Sequence, residues 1–314
     1  MIKAVLPAMA KPLIEARLPA DIEPHWFTSG KEAIAAAGDA EIAWIDMYNK
    51  AAIREAVDGA DQLQWLFTIY AGLDHLPMER LAALDVTVTN GTGINTIPVA
   101  EYCLLGMLAL AKRYDEVVRA ADRHEWLENP PGRRELFASK AMILGYGAIG
   151  KAIGDRLKPF GVDVTAVART ARPDEGVIGQ DDWRERLGDV DWLVIALPST
   201  GDTEHIIGAG EIAKMKKTAM IANIARGDVI DQDALIAALN EERIAGAYLD
   251  VTDPEPLPSD HPLWDAPNAL FSMHLSGKST MVMFQRAAEL FLENLERYRS
   301  GGDMKNVVDL KLGY

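Results

Sequence analysis

The stretch KAMILGYGAIGKAIGDRLKPF (residues 140–160) decides the fold of this chain. An apolar strand pattern leads into Gly145, Gly147 and Gly150, and a helical pattern follows them at once. In G-x-G-x-x-G spacing, the first glycine permits a tight turn, the second admits a pyrophosphate, and the third allows close helix–strand packing. The unit predicts a dinucleotide-binding turn whose phosphate-contacting residues are Gly145, Tyr146, Gly147, Ala148, Ile149 and Gly150.

Short apolar runs and helical patterns alternate on both sides of this turn. The strand-like runs lie at 3–7, 41–45, 65–69, 86–89, 162–168, 191–197, 218–224, 244–250 and 268–274. Two longer helical patterns, at about 97–121 and 281–298, bracket the second series. This order predicts an α/β protein with two doubly wound, parallel-sheet (Rossmann-like) domains. We expect a cofactor domain at 96–284, inserted into a flavodoxin-like substrate domain made of 1–95 and 285–314.

Composition narrows the possible partners. The 314 residues are 49% apolar and 25% charged, and 32 Lys and Arg against 47 Asp and Glu give a net charge of −15. Such an acidic surface repels phosphodiester backbones, which excludes general nucleic-acid binding. The longest apolar stretch, 98–111, contains Glu101 and is too short to cross a bilayer. The single cysteine, Cys103, and the lack of a leader pattern predict a cytoplasmic protein without a membrane partner.

The segment after strand 162–168 bears on the choice of cofactor. An NAD site usually places a carboxylate there for the ribose 2′-hydroxyl. This chain has Arg169, Thr170 and Arg172 instead, and no carboxylate before Asp174. Because guanidinium groups favour a 2′-phosphate, we predict NADP(H) as the preferred cofactor and NAD(H) as the alternative. A solvated basic loop is the other interpretation. We also expect Pro198 and Thr203, after the next strand-like run, to contact the cofactor.

Three further segments follow later strands, at the edge where ligands bind in open α/β sheets. They are NIARGDVID (223–231), LDVTDPEPLPSDHPLW (249–264) and SMHLSG (272–277). Together with the glycine turn and TGINTIPVAEY (92–102), they resemble the D-isomer-specific 2-hydroxyacid dehydrogenase family over nearly the whole chain. The resemblance implies the same inserted domain arrangement and a homodimer through the cofactor domain.

The resemblance also implies the catalytic residues. The family's Arg, Glu and His correspond to Arg226, Glu255 and His274. A histidine suits the proton donor because its ordinary pKa lies near neutrality, and a carboxylate beside it orients the ring. The arginine would clasp the substrate carboxylate and polarise the oxo group. Asp250 corresponds to a family carboxylate near the nicotinamide carboxamide.

A loop in the first domain is expected to bind the substrate carboxylate. The resemblance assigns this role to the backbone N–H groups of Ala71 and Gly72, with Tyr70 and Leu73 as candidate selectors of the substrate side chain. One departure stands at Met273, where the family commonly has proline before the catalytic histidine. Among His25, His75, His124, His205 and His261, no pair has metal-ligand spacing in a suitable context, so no metal is predicted.

These observations predict an NADP(H)-preferring reductase that converts small 2-oxo acids, such as glyoxylate, hydroxypyruvate or an arylpyruvate, to D-2-hydroxy acids. Glu255 disfavours a formate dehydrogenase, which carries an amide at that position, and Thr68, Ile69 and Tyr70 replace the arginine of phosphoglycerate dehydrogenases. An NAD-dependent dehydrogenase of the same family is one alternative. A nucleotide-sensing interaction protein on the same fold is the other.

Overall fold

Strands and helices alternate along most of the chain. The computed structural model describes residues 1–47, 49–73, 75–278 and 280–310, and the backbone alone of Thr280. The strands are β1 (Ile2–Pro7), β2 (Ile22–Phe27), β3 (Ile42–Trp44), β4 (Trp65–Phe67), β5 (Thr87–Thr89), β6 (Lys140–Leu144), β7 (Asp163–Val167), β8 (Val177–Ile178), β9 (Trp192–Ile195), β10 (Met220–Asn223), β11 (Gly246–Leu249) and β12 (Ala269–Phe271). The helices are α1 (Lys11–Ile14), α2 (Gly30–Ala37), α3 (Lys50–Asp58), α4 (Met78–Ala83), α5 (Thr96–Lys112), α6 (Tyr114–Asp122), α7 (Ala148–Leu157), α8 (Ala209–Lys214), α9 (Gln232–Asn240) and α10 (Thr280–Ser300).

The chain divides into two units, each built on its own parallel sheet. One unit comprises Met1–Asn95 and Ser279–Tyr314, and the other comprises Thr96–Lys278. The first sheet has the order β2-β1-β3-β4-β5, and the second has the order β12-β11-β10-β9-β6-β7-β8. Both are doubly wound orders, in which the ligand site lies at the carboxyl ends of the strands where the order reverses. The predicted fold class of two parallel-sheet α/β domains is confirmed.

In the first unit, apolar side chains cover both faces of the sheet. Leu66 packs on one face with residues of α2 and α3. Trp44, Trp65 and Phe67 pack on the other face against α10. The ring of Phe291 from α10 stacks on Trp65 with a centroid distance of 5.1 Å. The helical pattern predicted at 281–298 therefore forms a helix whose apolar side chains belong to the core of this unit.

The second unit buries α5 and α7 on one face of its sheet. Cys103 and Met107 of α5 pack with Ile153 of α7 and with Trp192 of β9. Burial raises the pKa of the Cys103 thiol to about 12, so this cysteine is a core residue and remains protonated. The opposite face carries a separate apolar cluster that includes Leu235 of α9. Residues 145–150 and the loops that follow β9, β10 and β11 are thus supported by a packed sheet.

Some elements differ from those predicted. The helical pattern at 97–121 forms two helices, because Arg113 between them has a left-handed backbone with φ of 48°. Strand β2 was not predicted, since Pro24 and polar residues interrupt its sequence pattern. The second unit ends at Lys278 rather than at residue 284, because α10 belongs as a whole to the first unit.

Among the described residues, we find no helix that is both long enough and apolar enough to span a membrane.

Candidate active site

The glycine turn connects β6 to α7 with the predicted geometry. Gly145 has φ of 91°, a conformation that side chains disfavour, and a Cβ there would lie 2.4 Å from the carbonyl oxygen of Ala196 on the neighbouring chain segment. A Cβ on Gly150 would lie 2.0 Å from the carbonyl oxygen of Gly145. Both positions therefore require glycine, the first for the turn and the third for close packing.

The N-terminus of α7 fits a pyrophosphate. The helix begins at Ala148, so its first backbone N–H groups, including that of Ile149, lack partners within the helix. A Cβ at Gly147 would meet no atom of the described residues within 4 Å, which leaves open space beside these donors. Unpaired N–H groups and the helix dipole favour an anion here. The residues of the turn therefore fit a dinucleotide cofactor.

The loop after β7 contains the candidate residues for the 2′-phosphate. Arg169 and Thr170 are exposed. Arg172 is half-buried, and its Nη2 donates to the carbonyl oxygen of Tyr146 in the glycine turn at 3.1 Å. Its Nε also forms an ion pair with Glu175, at 3.2 Å from Oε1. The basic loop is thus hydrogen-bonded to the glycine turn, and Arg172 has a carboxylate partner that was not predicted from the sequence.

The loop after β9 contains Pro198 and Thr203. Thr203 Oγ1 donates to the carbonyl oxygen of Pro198 at 2.7 Å and accepts from the backbone N–H of Thr200 at 2.8 Å. Pro198 and Thr203, the two residues predicted to contact the cofactor, are therefore hydrogen-bonded to each other within one loop. Strands β9 and β6 are neighbours in the sheet, so this loop and the glycine turn follow adjacent strands.

Arg226 follows β10 and is held by its own segment. Asn223 Nδ2 donates to the carbonyl oxygen of Arg226 at 2.8 Å, and the Arg226 Nη1 donates to the carbonyl oxygen of Ala225 at 2.8 Å. A Cβ at Gly227 would lie 2.0 Å from the backbone carbon of Thr252. Glycine at 227 therefore lets the arginine loop run directly against the loop that contains Glu255.

Glu255 and His274 form the central pair. Their side chains meet at 2.7 Å between Oε2 and Nδ1, and both side chains are partly exposed. Burial by itself would raise the pKa of Glu255, but the hydrogen bond and charge of His274, the Thr252 N–H and the charge of Arg226 together hold it below its ordinary value. Glu255 is accordingly a carboxylate that accepts from the imidazole. The three predicted catalytic residues therefore lie together at the carboxyl edge of the second sheet.

The loop that carries His274 is fastened to Asp250. This carboxylate, 2% exposed, accepts from Ser272 Oγ at 2.6 Å and from Ser276 Oγ. The carbonyl oxygen of Asp250 accepts the backbone N–H of His274 at 2.5 Å. Asp250 thus supports the residues on both sides of the histidine.

Met273 and His274 both have left-handed backbones, with φ of 52° and 54°. Proline is restricted to φ near about −65° and cannot adopt this conformation. Met273 therefore has a backbone conformation that the proline expected from the family resemblance could not adopt.

The candidate substrate loop lies in the first unit. Ala71 is exposed and Gly72 is half-buried, and among the described residues no acceptor is found for either backbone N–H. Tyr70 is half-buried, with its ring edge-to-face on His75 at 5.4 Å. The proposal of Leu73 as a side-chain selector is wrong, because Leu73 is 3% exposed and belongs to the core of this unit.

Two residues that support the site were not predicted from the sequence. Tyr248 lies on β11 with its hydroxyl 2.6 Å from Ser272 Oγ. Gln232 binds the Glu255 loop twice, through Nε2 to the carbonyl oxygen of Asp253 and through Oε1 from its N–H. A polar hydroxyl in an otherwise apolar strand was the available signal for Tyr248, whereas nothing local marks Gln232.

Comparisons with known proteins identify the family of this chain. A profile for the NAD binding domain of the D-isomer specific 2-hydroxyacid dehydrogenases matches residues 104–276. A glyoxylate reductase of Thermococcus gammatolerans is 32% identical over 257 residues, which cover 79% of this chain and 76% of the relative. The human glyoxylate reductase/hydroxypyruvate reductase is 34% identical over 220 residues, or 68% of this chain and 67% of the relative.

A crystal structure of a D-isomer specific 2-hydroxyacid dehydrogenase family protein from Aeromonas salmonicida superposes with a TM-score of 0.88 at 27% identity, covering 98% of this chain and 99% of that one. The profile match includes the glycine turn, Arg226, Glu255 and His274. The glycine turn, the Glu255–His274 pair and these likenesses converge: this chain belongs to the family of D-isomer-specific 2-hydroxyacid dehydrogenases, enzymes that use a nicotinamide cofactor.

Proposed function

We propose that this chain reduces small 2-oxo acids to D-2-hydroxy acids, with NADP(H) as the preferred cofactor and His274 as the proton donor. The observation that carries the proposal is the 2.7 Å contact between His274 and Glu255 in a site that also contains Arg226. Membership of the family supports the reaction class. The glyoxylate reductases among the relatives support a short substrate.

The orientation of His274 assigns the two ring nitrogens. A carboxylate accepts hydrogen bonds and cannot donate them, so Nδ1 donates to Glu255. Nε2 is then the atom that holds the transferable proton in the charged imidazole. During reduction the proton passes from Nε2 to the carbonyl oxygen of the substrate, and the negative charge of Glu255 stabilises the imidazolium before the transfer.

Each unit, taken by itself, offers donors that suit the carboxylate of a 2-oxo acid. Arg226 provides a planar guanidinium, which binds carboxylates through paired hydrogen bonds. In the first unit, the backbone N–H groups of Ala71 and Gly72 are also suited to bind a carboxylate, since neither has an acceptor among the described residues. Tyr70 is our candidate for selecting between glyoxylate, hydroxypyruvate and an arylpyruvate, because its ring is partly exposed beside these amides.

The bound nicotinamide would supply the hydride, and the chain would orient it. The glycine turn would hold the pyrophosphate, and the loop that contains Pro198 and Thr203 follows the neighbouring strand. A carboxylate can accept more hydrogen bonds than the two that Asp250 accepts from the hydroxyl groups of Ser272 and Ser276. Asp250 would therefore also accept a hydrogen bond from the nicotinamide carboxamide. We infer NADP(H) preference from Arg169, Thr170 and Arg172 after β7. The ion pair between Arg172 and Glu175 weakens that preference, because it offers the arginine an internal anion.

The test measures oxidation of NADPH and of NADH with glyoxylate, hydroxypyruvate and phenylpyruvate. We expect turnover with at least one of these acids and a higher kcat/KM for NADPH than for NADH. A clear preference for NADH would refute the cofactor assignment and support the NAD-dependent alternative. Binding of NADPH with no turnover of any acid would refute the reductase and favour a nucleotide sensor.

We also propose a cytoplasmic homodimer. Cys103 is a buried free thiol, as expected in a reducing compartment. Helix α5 of the cofactor domain exposes apolar Ile97 and Leu105, and a second copy would cover them. Light scattering after size exclusion should give twice the chain mass of 34.3 kDa. A monomer at micromolar concentration would contradict the dimer.

A further inference from the structure

Strands β3 and β4 end side by side at the carboxyl edge of the first unit's sheet. Trp44 of β3 and Phe67 of β4 are partners in parallel register. The residues after the two strands therefore continue next to each other. Asp46 comes two residues after β3, and Thr68 comes directly after β4. Strand pairing thus brings Asp46 to the beginning of the loop that contains Tyr70, Ala71 and Gly72.

The carboxylate of Asp46 accepts three hydrogen bonds at this point. Thr68 Oγ1 donates to Oδ1 at 2.6 Å, the backbone N–H of Ile69 donates to Oδ2 at 2.6 Å, and Trp44 Nε1 donates to Oδ2 at 3.0 Å. Thr68 Oγ1 in turn accepts from the backbone N–H of Tyr70 at 3.2 Å. Asp46 therefore fixes the backbone of Ile69 directly and that of Tyr70 through Thr68.

The segment after β5 holds the other side of the same loop. The N–H of Gly91 donates to the carbonyl oxygen of Tyr70 at 3.1 Å, and Asn90 Nδ2 donates to the carbonyl oxygen of Ala71 at 3.1 Å. A Cβ at Gly91 would lie 1.9 Å from the carbonyl oxygen of Ile69, so only glycine permits this approach. The carbonyl groups of Tyr70 and Ala71 thus both accept hydrogen bonds from this segment.

The next two N–H groups, at Ala71 and Gly72, have no acceptor among the described residues. We propose that Asp46 and Thr68 are positioning residues that hold these two N–H groups in place for the carboxylate of a 2-oxo acid. The inference rests on the proposed function, because it assumes that this carboxylate is the ligand of the loop. Asp46 does not touch the substrate and acts only through Thr68 and the backbone of Ile69.

The experiment removes the Thr68 hydroxyl and restores it. Thr68→Val keeps the shape of the buried side chain but removes both its hydrogen bond to Asp46 and its acceptor for Tyr70. Thr68→Ser keeps the hydroxyl and serves as the rescue variant. Thr87→Val, on β5 of the same unit, is the matched control, since the Thr87 side chain has no hydrogen bond among the described contacts.

Steady-state kinetics with glyoxylate and NADPH give the first readout. A hydrogen bond to a charged group is worth a factor of about ten or more, so Thr68→Val should raise KM for glyoxylate about tenfold. We expect kcat and KM for NADPH to stay within about twofold of wild type, because uniform loss of substrate binding acts on KM alone. Thr68→Ser and Thr87→Val should retain the wild-type KM.

Hydrogen exchange gives a second readout that does not depend on turnover. The backbone N–H groups of Ile69 and Tyr70 should exchange faster in Thr68→Val than in wild type, and at the wild-type rate in Thr68→Ser. A wild-type enzyme that reduces no 2-oxo acid refutes the proposed function, whatever the exchange shows. An active wild type with unchanged KM in Thr68→Val, or a Thr68→Ser as impaired as Thr68→Val, refutes the positioning role alone.

Discussion

Replacing Asp46 by asparagine should change the way in which stability depends on pH. The carboxyl group of Asp46 is buried among Trp44, Thr68 and Ile69, and this burial raises its pKa from 3.8 to about 6 despite the three hydrogen bonds that favour the charged form. The folded protein therefore binds this proton more tightly than the unfolded chain. Asparagine does not titrate, so Asp46→Asn removes the effect.

The sign and size follow from proton linkage. A raised pKa in the folded state contributes stability that is fully present below the unfolded pKa, near 3.8, and is lost as pH rises through about 6. The shift is about two pKa units at about 1.4 kcal/mol each, which gives about 3 kcal/mol over the whole interval. Wild type therefore loses about 3 kcal/mol of stability as pH rises through this interval, and Asp46→Asn does not. The free energy of unfolding of Asp46→Asn minus that of wild type should rise by the same amount as pH rises.

The assay is urea unfolding of both proteins at several values between about pH 4 and about pH 7.5. Low protein concentration is needed because the sequence pI of about 4.9 falls inside this range. The amide can also change the hydrogen bonds at this position. Such a change shifts the difference in free energy of unfolding by the same amount at every pH, so it does not alter the pH dependence. An NMR titration of ¹³C-labelled aspartate carboxyl groups measures the same pKa in the folded protein. The resonance that is absent from Asp46→Asn is that of Asp46, and it should titrate at about pH 6.

Asp39→Asn is the control in the same unit. The hydrogen bond from Lys3 lowers the pKa of Asp39, so its stabilising contribution is present above the unfolded pKa and is lost only at lower pH. Its difference curve should be flat across the same window. A flat curve for Asp46→Asn as well, or a resonance that titrates near 3.8, would show that the carboxyl is not buried as described.

Three other predictions concern the cofactor domain. His274→Ala should lower kcat by about 10²–10⁴ while circular dichroism stays unchanged, and near-normal turnover would disprove the assigned proton donor. Arg169→Ala should reduce the ratio of kcat/KM for NADPH to that for NADH by about tenfold, and an unchanged ratio would remove this residue from the 2′-phosphate site. Gly106→Ala places a Cβ 2.2 Å from the ring of Tyr248. This overpacking should cost about 1–3 kcal/mol, measured as a lower Tm, and a wild-type Tm would contradict the described packing of α5 on β11.

Elements were predicted best where the local sequence pattern agrees with the position of the segment in the folded protein. Strands buried on both faces are continuous apolar runs, and the glycine spacing at 145–150 marks the turn between β6 and α7 directly. Where the two conflict, prediction was poorer. Arg113 breaks a continuous helical pattern through one left-handed residue, and β2 contains a proline that an edge strand tolerates.

The catalytic residues could be assigned from motifs, but their supports could not. Asp46 and Thr68 are 22 residues apart, and only the pairing of β3 with β4 brings them together. The contact of Arg172 with Glu175 is local, yet sequence spacing alone does not tell whether two opposite charges in a loop form an ion pair. Leu73 was misread because one residue of a loop can turn into the core while its neighbours stay outside.

The left-handed backbone at Met273 has a consequence for engineering this protein. Substituting the residue most common among relatives is a widely used way to stabilise a protein, because it usually restores a locally favourable choice. At position 273 that strategy would introduce proline into a conformation with φ of 52°, which its ring forbids. The loop would have to follow another path and release the His274 N–H from Asp250. Consensus design should therefore leave this position alone, since its residue and its backbone path depend on each other.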